Sequence, residues 1–167
     1  MQRRLLSLAR LHPTSTDYLM PFMLRLTGPL DRHALREALI DLVSRHAGLR
    51  TVYPATSGGA QTGGVLVGAE STIGNLQPLG YRDDADAMTL ISRLCAAPID
   101  VAVAPGMRAH LLTRISEDST GEHILVLVIH HVAADGASLP ILVGDLATAY
   151  SERLAGRRTT WEEAAFG

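Results

Sequence analysis

The run Ile124 to Ile129, ILVLVI, constrains the fold more than any other part of this chain. Six consecutive apolar residues rich in β-branched side chains are too few to span a membrane. They fit a strand buried on both faces, although periodicity alone leaves a buried helix segment open. The run ends in His130-His131, and an Asp135-Gly136 turn follows within the stretch HILVLVIHHVAADGAS from His123 to Ser138. Successive strand side chains point to opposite faces, so only one of the two imidazoles can face a given cavity. The other must be packed and hydrogen-bonded. Imidazole is also the side chain whose ordinary pKa best suits proton handling near neutrality.

The rest of the chain supplies elements that can cover such a strand. Leu5, Leu8 and Ala9 share a helical face over Gln2 to Leu11, with Pro13 marking the end. Leu19 to Thr27 alternates as a strand before Gly28-Pro29. Asp31 is placed to cap a helix in which Leu35, Ala38, Leu39, Leu42, Val43 and His46 recur at helical spacing, and Gly48 ends it. A strand is predicted at Leu49 to Tyr53, then a glycine-rich loop around 57–60 and a second strand near Gly64 to Val67. Asp83 or Asp84 opens a helix through Ala97 with Met88, Ile91, Leu94 and Cys95 inward. Arg108 to Arg114 is a strand, and the polar loop from Ser116 to Glu122 returns the chain antiparallel into the central run. Ser138 then caps a helix with Pro140 in its first turn, a stripe of Leu139, Leu142, Val143, Leu146 and Tyr150, and Gly156 as its stop. Strands interleaved with helices predict an α/β layered domain with a mixed sheet.

Composition excludes several classes of function. The chain has 167 residues, enough for one domain with a real core, and a formal net charge of −2, unlike a basic nucleic-acid binder. All 15 basic residues are arginine, which removes a Schiff-base lysine and the lysine of a P-loop. Cys95 is the single cysteine, so no internal disulfide or multi-cysteine zinc site can form, and a reducing cytoplasm is the expected setting. Its helical surroundings fit an inert packed thiol. The apolar stretch at the N-terminus is interrupted by Arg10 and His12, so neither a signal peptide nor a membrane anchor is expected. Gly58, Gly59, Gly63 and Gly64 do not match a dinucleotide fingerprint, and no GxSxG elbow occurs. A zinc site on His130, His131 and Asp135 is disfavoured because adjacent strand histidines diverge.

The string HHxxxDG, formed by His130, His131, Asp135 and Gly136 after a hydrophobic strand, resembles the signature of the condensation domains of nonribosomal peptide synthetases, in the chloramphenicol acetyltransferase-like superfamily. Further likeness lies in Gln2-Arg3-Arg4-Leu5, in TGPLD (Thr27 to Asp31), in RHAGLRT (Arg45 to Thr51) and in Pro105-Gly106-Met107-Arg108, and it continues to about Trp161. The resemblance implies a chloramphenicol acetyltransferase-like two-layer sandwich, a mixed sheet packed by helices. A full condensation domain resembles two such lobes facing each other across a V, and residues 1–167 look like the N-terminal lobe alone, without the C-terminal one.

By the same resemblance His131 faces the tunnel as general base or positioning group for an acceptor amine that attacks a donor acyl thioester. His130 points into the fold. Asp135 is implied to be a brace held by an arginine, Arg45 first and Arg50 second. Gly136 has no Cβ, so it can take a positive φ and let a substrate approach its N–H. Ala137 stands where many members carry tryptophan. No cofactor is expected on this lobe; substrates would arrive as phosphopantetheine thioesters on donor and acceptor carrier proteins. The alternatives are a lobe of a CoA- or carrier-dependent O-acyltransferase and a non-catalytic docking lobe. The second lobe and the carrier proteins are the expected partners. An open lobe face would also favour self-association.

Overall fold

The computed structural model describes residues 2–55, 63–118 and 121–162, with side chains from Arg4 onward. The loop around 57–60, with Gly58 and Gly59, and residues 119 and 120 of the polar loop lie outside the described residues. In chain order the elements are helix α1 (Gln2–Leu11), strand β1 (Leu19–Thr27), helix α2 (Arg32–Arg45), a 3-10 turn (Ala47–Arg50), strands β2 (Thr51–Val52) and β3 (Val65–Leu66) and helix α3 (Ala69–Ile73). Then come strand β4 (Pro78–Tyr81), helix α4 (Asp84–Ala96), strands β5 (Met107–Arg114) and β6 (Glu122–His130), a 3-10 turn (Gly136–Ser138) and helix α5 (Leu139–Leu154).

The apolar run is the centre of the sheet. Four strands lie in the order β1-β6-β5-β4, with β6 antiparallel to both neighbours and β4 parallel to β5, so the sheet is mixed. Leu125, Leu127 and Ile129 on one face of β6 pack with Leu39 and Leu42 of α2 and Leu142 and Leu146 of α5. Ile124, Val126 and Val128 on the other face pack with Ala9 of α1 and Ala87 and Ile91 of α4. Every position from Ile124 to His130 is therefore buried, which explains why the run lacks a polar alternation. Each such side chain contributes roughly 1.5–3 kcal/mol by leaving water.

Helix caps follow the expected chemistry at α2 and α4. The side chain of Asp31 accepts from the Ala34 N–H and that of Asp83 from the Asp86 N–H. At α5 the expectation of a Ser138 cap is corrected. Ser138 is already helical and makes no side-chain cap bond, because Asp135 caps the preceding 3-10 turn that runs straight into the helix. Gly156, at φ +75°, ends α5 as its freedom from a Cβ allows.

Other expectations are also revised. The strand predicted at Leu49 to Tyr53 shrinks to Thr51–Val52, since buried Leu49 and its neighbours wind into the 3-10 turn against the core. It still pairs antiparallel with β3, as a hairpin requires. Met88 is exposed rather than inward, because α4 buries Ala87 and Ile91 and Met88 falls one position beyond that stripe. Strand β4 and helix α3 carry too little apolar periodicity to be read in advance; β4 begins at Pro78 on a sheet edge and is held by pairing with β5. Among the described residues no helix is long and apolar enough to cross a membrane.

Candidate active site

The sheet geometry fixes both histidine backbones from opposite sides. The His130 N–H donates to the Gly106 carbonyl at 2.8 Å, just before β5. The His131 N–H donates to the Tyr18 carbonyl at 2.9 Å, just before β1. The chain then folds over, with the Ala133 N–H donating to the His130 carbonyl at 2.8 Å. Ala133 fits between two glycines of the sequence motifs, Gly48, expected only near a helix end, and Gly106, for which no role is foreseen. A Cβ on Gly106 would stand 2.5 Å from the Ala133 Cβ, and one on Gly48 would stand 2.8 Å from the Ala133 oxygen. No spacing rule marks these positions; only the fold brings residues 48, 106 and 133 together.

The two imidazoles have opposite surroundings. His130 is 2% exposed, its Nδ1 accepts from the Val132 N–H at 3.1 Å, and its ring lies 6.1 Å from that of Tyr18. An accepting Nδ1 assigns the proton of the neutral ring to Nε2. Burial, and secondarily the neighbouring His131, hold the His130 pKa below the ordinary histidine value, so this ring is kept neutral. His131 is exposed, and its ring makes no hydrogen bond or ion pair among the described residues.

Among the described residues Asp135 makes no hydrogen bond or ion pair with an arginine. Its Oδ1 accepts from the Ser138 N–H at 3.0 Å and from the Ser138 hydroxyl at 2.8 Å, and these bonds hold its carboxyl below the usual carboxylate range. Arg45 instead places Nε 3.0 Å from Asp145 Oδ2 on α5, with its guanidinium 4.5 Å from the centre of the Trp161 ring. Arg50 donates to the Val43 and Val67 carbonyls, closing the end of α2 onto the strand exit. The expected brace is therefore corrected for both arginines: Asp135 is taken by its own turn, and each guanidinium finds a nearer acceptor. Gly136 does not use its freedom to take a positive φ here. It is absent from the positive-φ glycines of the described residues, because it opens a right-handed turn, and a Cβ there would meet nothing within 4 Å.

His46, to which the sequence assigns no chemistry, joins the cluster. Its Nε2 lies 2.6 Å from the same Asp145 oxygen that Arg45 contacts. The signal available was the Arg45-His46 pair at the end of a helix. Its acceptor lies 99 residues along the chain, beyond any local pattern.

A mixed sheet packed by helices, with one histidine sunk under the end of its central strand and the next left open, defines a single lobe of the chloramphenicol acetyltransferase-like fold. The family model described as Condensation domain matches residues 1–165, and the chain belongs to the condensation-domain family. It is 37% identical over 163 residues to a dimodular nonribosomal peptide synthase of Bacillus subtilis, covering 96% of this chain and 6% of that protein. The X-domain in a complex with OxyB from teicoplanin biosynthesis superposes with TM-score 0.79 at 28% identity, over 96% of this chain and 33% of that one. SgcC5 protein from Streptomyces globisporus, complexed with a naphthyl ethanediol and sucrose, gives TM-score 0.66 at 28% identity, over 89% and 33%. The chain thus spans a small fraction of the length of the curated relatives it matches and about a third of these structures.

Proposed function

We propose that this chain is the N-terminal, motif-bearing lobe of a nonribosomal peptide synthetase condensation domain, working opposite a C-terminal lobe, with His131 at the reacting centre. Condensation domains of such synthetases transfer acyl groups. The single observation carrying the assignment is an exposed imidazole, unpaired among the described residues, at the end of the central strand of a chain in that family. In the reaction the acceptor amine nitrogen attacks the carbonyl carbon of the donor thioester. His131 takes the amine proton as the C–N bond forms, the C–S bond breaks, and the proton passes to the departing thiolate. Donor and acceptor arrive on the phosphopantetheine arms of carrier proteins in a cytoplasmic setting. His130 and Asp135 support this site without touching the reacting atoms: one fixes the turn from below, the other caps the helix above it.

The test joins this lobe to a C-terminal lobe, supplies loaded donor and acceptor carrier proteins, and compares His131→Ala with the unaltered chain. A positioned base contributes about 10²–10⁴-fold, so the variant should lose that much in rate. Undiminished product would sink the assignment. The diol held by SgcC5 protein favours a second reading, in which the same imidazole deprotonates a hydroxyl. Product with an alcohol acceptor and none with an amine would select it. Capture of a partner protein without acyl transfer would point instead to a docking lobe; the X-domain from teicoplanin biosynthesis is known in a complex with OxyB.

A further inference from the structure

We infer that Asp145, on the second turn of α5, is a positioning residue for His131, acting through the end of α2 and the Gly48–Ala133 contact; the inference rests on the reading of His131 as the reacting-centre residue. Asp145 Oδ2 meets two consecutive residues, an ion pair with Arg45 Nε at 3.0 Å and a hydrogen bond with His46 Nε2 at 2.6 Å. His46 is the last point at which α2 keeps its own pattern, since its N–H donates to the Leu42 carbonyl, while the Leu49 N–H already turns back to the His46 carbonyl. One carboxylate oxygen thereby fixes where the chain leaves the helix.

Two residues later Gly48 abuts the Ala133 carbonyl, and Gly106, whose own carbonyl receives the His130 N–H, abuts the Ala133 methyl from β5. Ala133 in turn closes the turn that carries His131. Among the described residues the His131 ring makes no hydrogen bond or ion pair, so its placement follows that of the turn backbone that carries it. An outward shift of the α2 exit would unseat Ala133 and release the imidazole. The Arg45-His46 pair therefore serves the site through Asp145 on α5, whereas Arg45 alone of the two was expected to reach Asp135.

The same helix pair supplies an internal control. Arg153 makes a bidentate pair with Asp41, at 2.6 and 2.7 Å, and Thr159 adds a hydroxyl donor to the same carboxylate. Both ties hold α5 to α2, but only that of Asp145 engages the α2 exit.

The experiment reads the isotopically labelled chain by NMR without substrate. The His131 ring signals are identified by their loss in His131→Ala, and Ala133 amide exchange and melting temperature are measured alongside. Asp145→Leu should move the His131 ring signals and speed Ala133 exchange about tenfold or more. Asp145→Glu should restore most of both, and Arg153→Met should lower the melting temperature with the His131 signals in place. Native His131 signals in Asp145→Leu, or an equal displacement in Arg153→Met, would overturn the inference. Should Asp145→Leu not fold, Asp145→Asn is read against the same two outcomes. Failure of the acyl-transfer reading is scored separately, as product that survives His131→Ala.

Discussion

Gly48 and Gly106 hold the site turn because they lack side chains. A methyl at either position collides with Ala133, and at Gly48 it meets a backbone oxygen that cannot swing away. Overpacking of this kind costs roughly 1–3 kcal/mol. Gly48→Ala and Gly106→Ala are therefore expected to lower the urea midpoint clearly, while Gly136→Ala, in open space, should leave it nearly unchanged. Histidine protonation gives a second expectation at this scale. Burial depresses the pKa values of His110, His123 and His130, with Arg108 adding to the effect at His110 and His131 at His130. The unfolded chain then binds more protons than the folded one below about pH 6.5, so stability is present above that value and is lost as pH falls through it. Thermal melts at pH 7.5, 6.5 and 5.5 should show a steepening decline. His110 Nε2 is buried with no hydrogen-bond partner among the described residues, so His110→Leu should flatten that decline. An unaltered slope in the variant would show that His110 does not contribute. The histidine pair was legible in sequence because strand alternation forces two adjacent rings apart. The companions of Asp135 were not, because a carboxylate can cap its own turn as readily as reach a distant guanidinium.

Among the elements, β6 is buried at every position from Ile124 to His130, and α4 shows how narrow a buried stripe can be. Leu127 lies in the core between the sheet and the α2/α5 layer, so Leu127→Ala should cost about 2–5 kcal/mol. Met88→Ala, on the exposed side of α4, should stay within about 0.5 kcal/mol. Equilibrium denaturation of the two variants tests the contrast; comparable losses would contradict the assigned faces. Long, strongly patterned elements were readable: α1, α2, α4 and the strand pair β5–β6 fall where apolar spacing and Asp caps put them. Short ones were not. Strand β4 has four residues and exists because β5 offers it a parallel partner, and the turn at Ala47–Arg50 replaces expected strand because Gly48 must meet Ala133. In both cases a contact distant in sequence overrides local preference.

At the scale of the molecule, the four-stranded sheet has an outer strand at each end, β1 and β4, among the described residues. Strand β1 is an edge strand. Between it and α5 lies a cavity of about 360 Å³ lined by residues that include Leu24, Leu26, Val143, Leu146 and Tyr150. Across the sheet Met23 and Met88 stand exposed around a second hollow. Unpaired strand edges beside apolar surface favour association. The chain by itself is expected to show mass that rises with concentration in light scattering, and charged substitutions at Met23 and Met88 should reduce it. A monodisperse monomer at high concentration would count against this.

The pairing of β1 with β6 also bears on how the chain reaches its native state. Leu19 meets His130 and Thr27 meets Glu122, partners roughly a hundred residues apart. Such distant pairing carries a large loop-closure entropy and slows the rate-limiting step. During synthesis β1 must therefore wait, with its apolar side chains unsatisfied, until residues 122–130 have left the ribosome. Nascent chains halted before Glu122 should stay protease-sensitive, and protection should arrive in one late step once His130 has emerged.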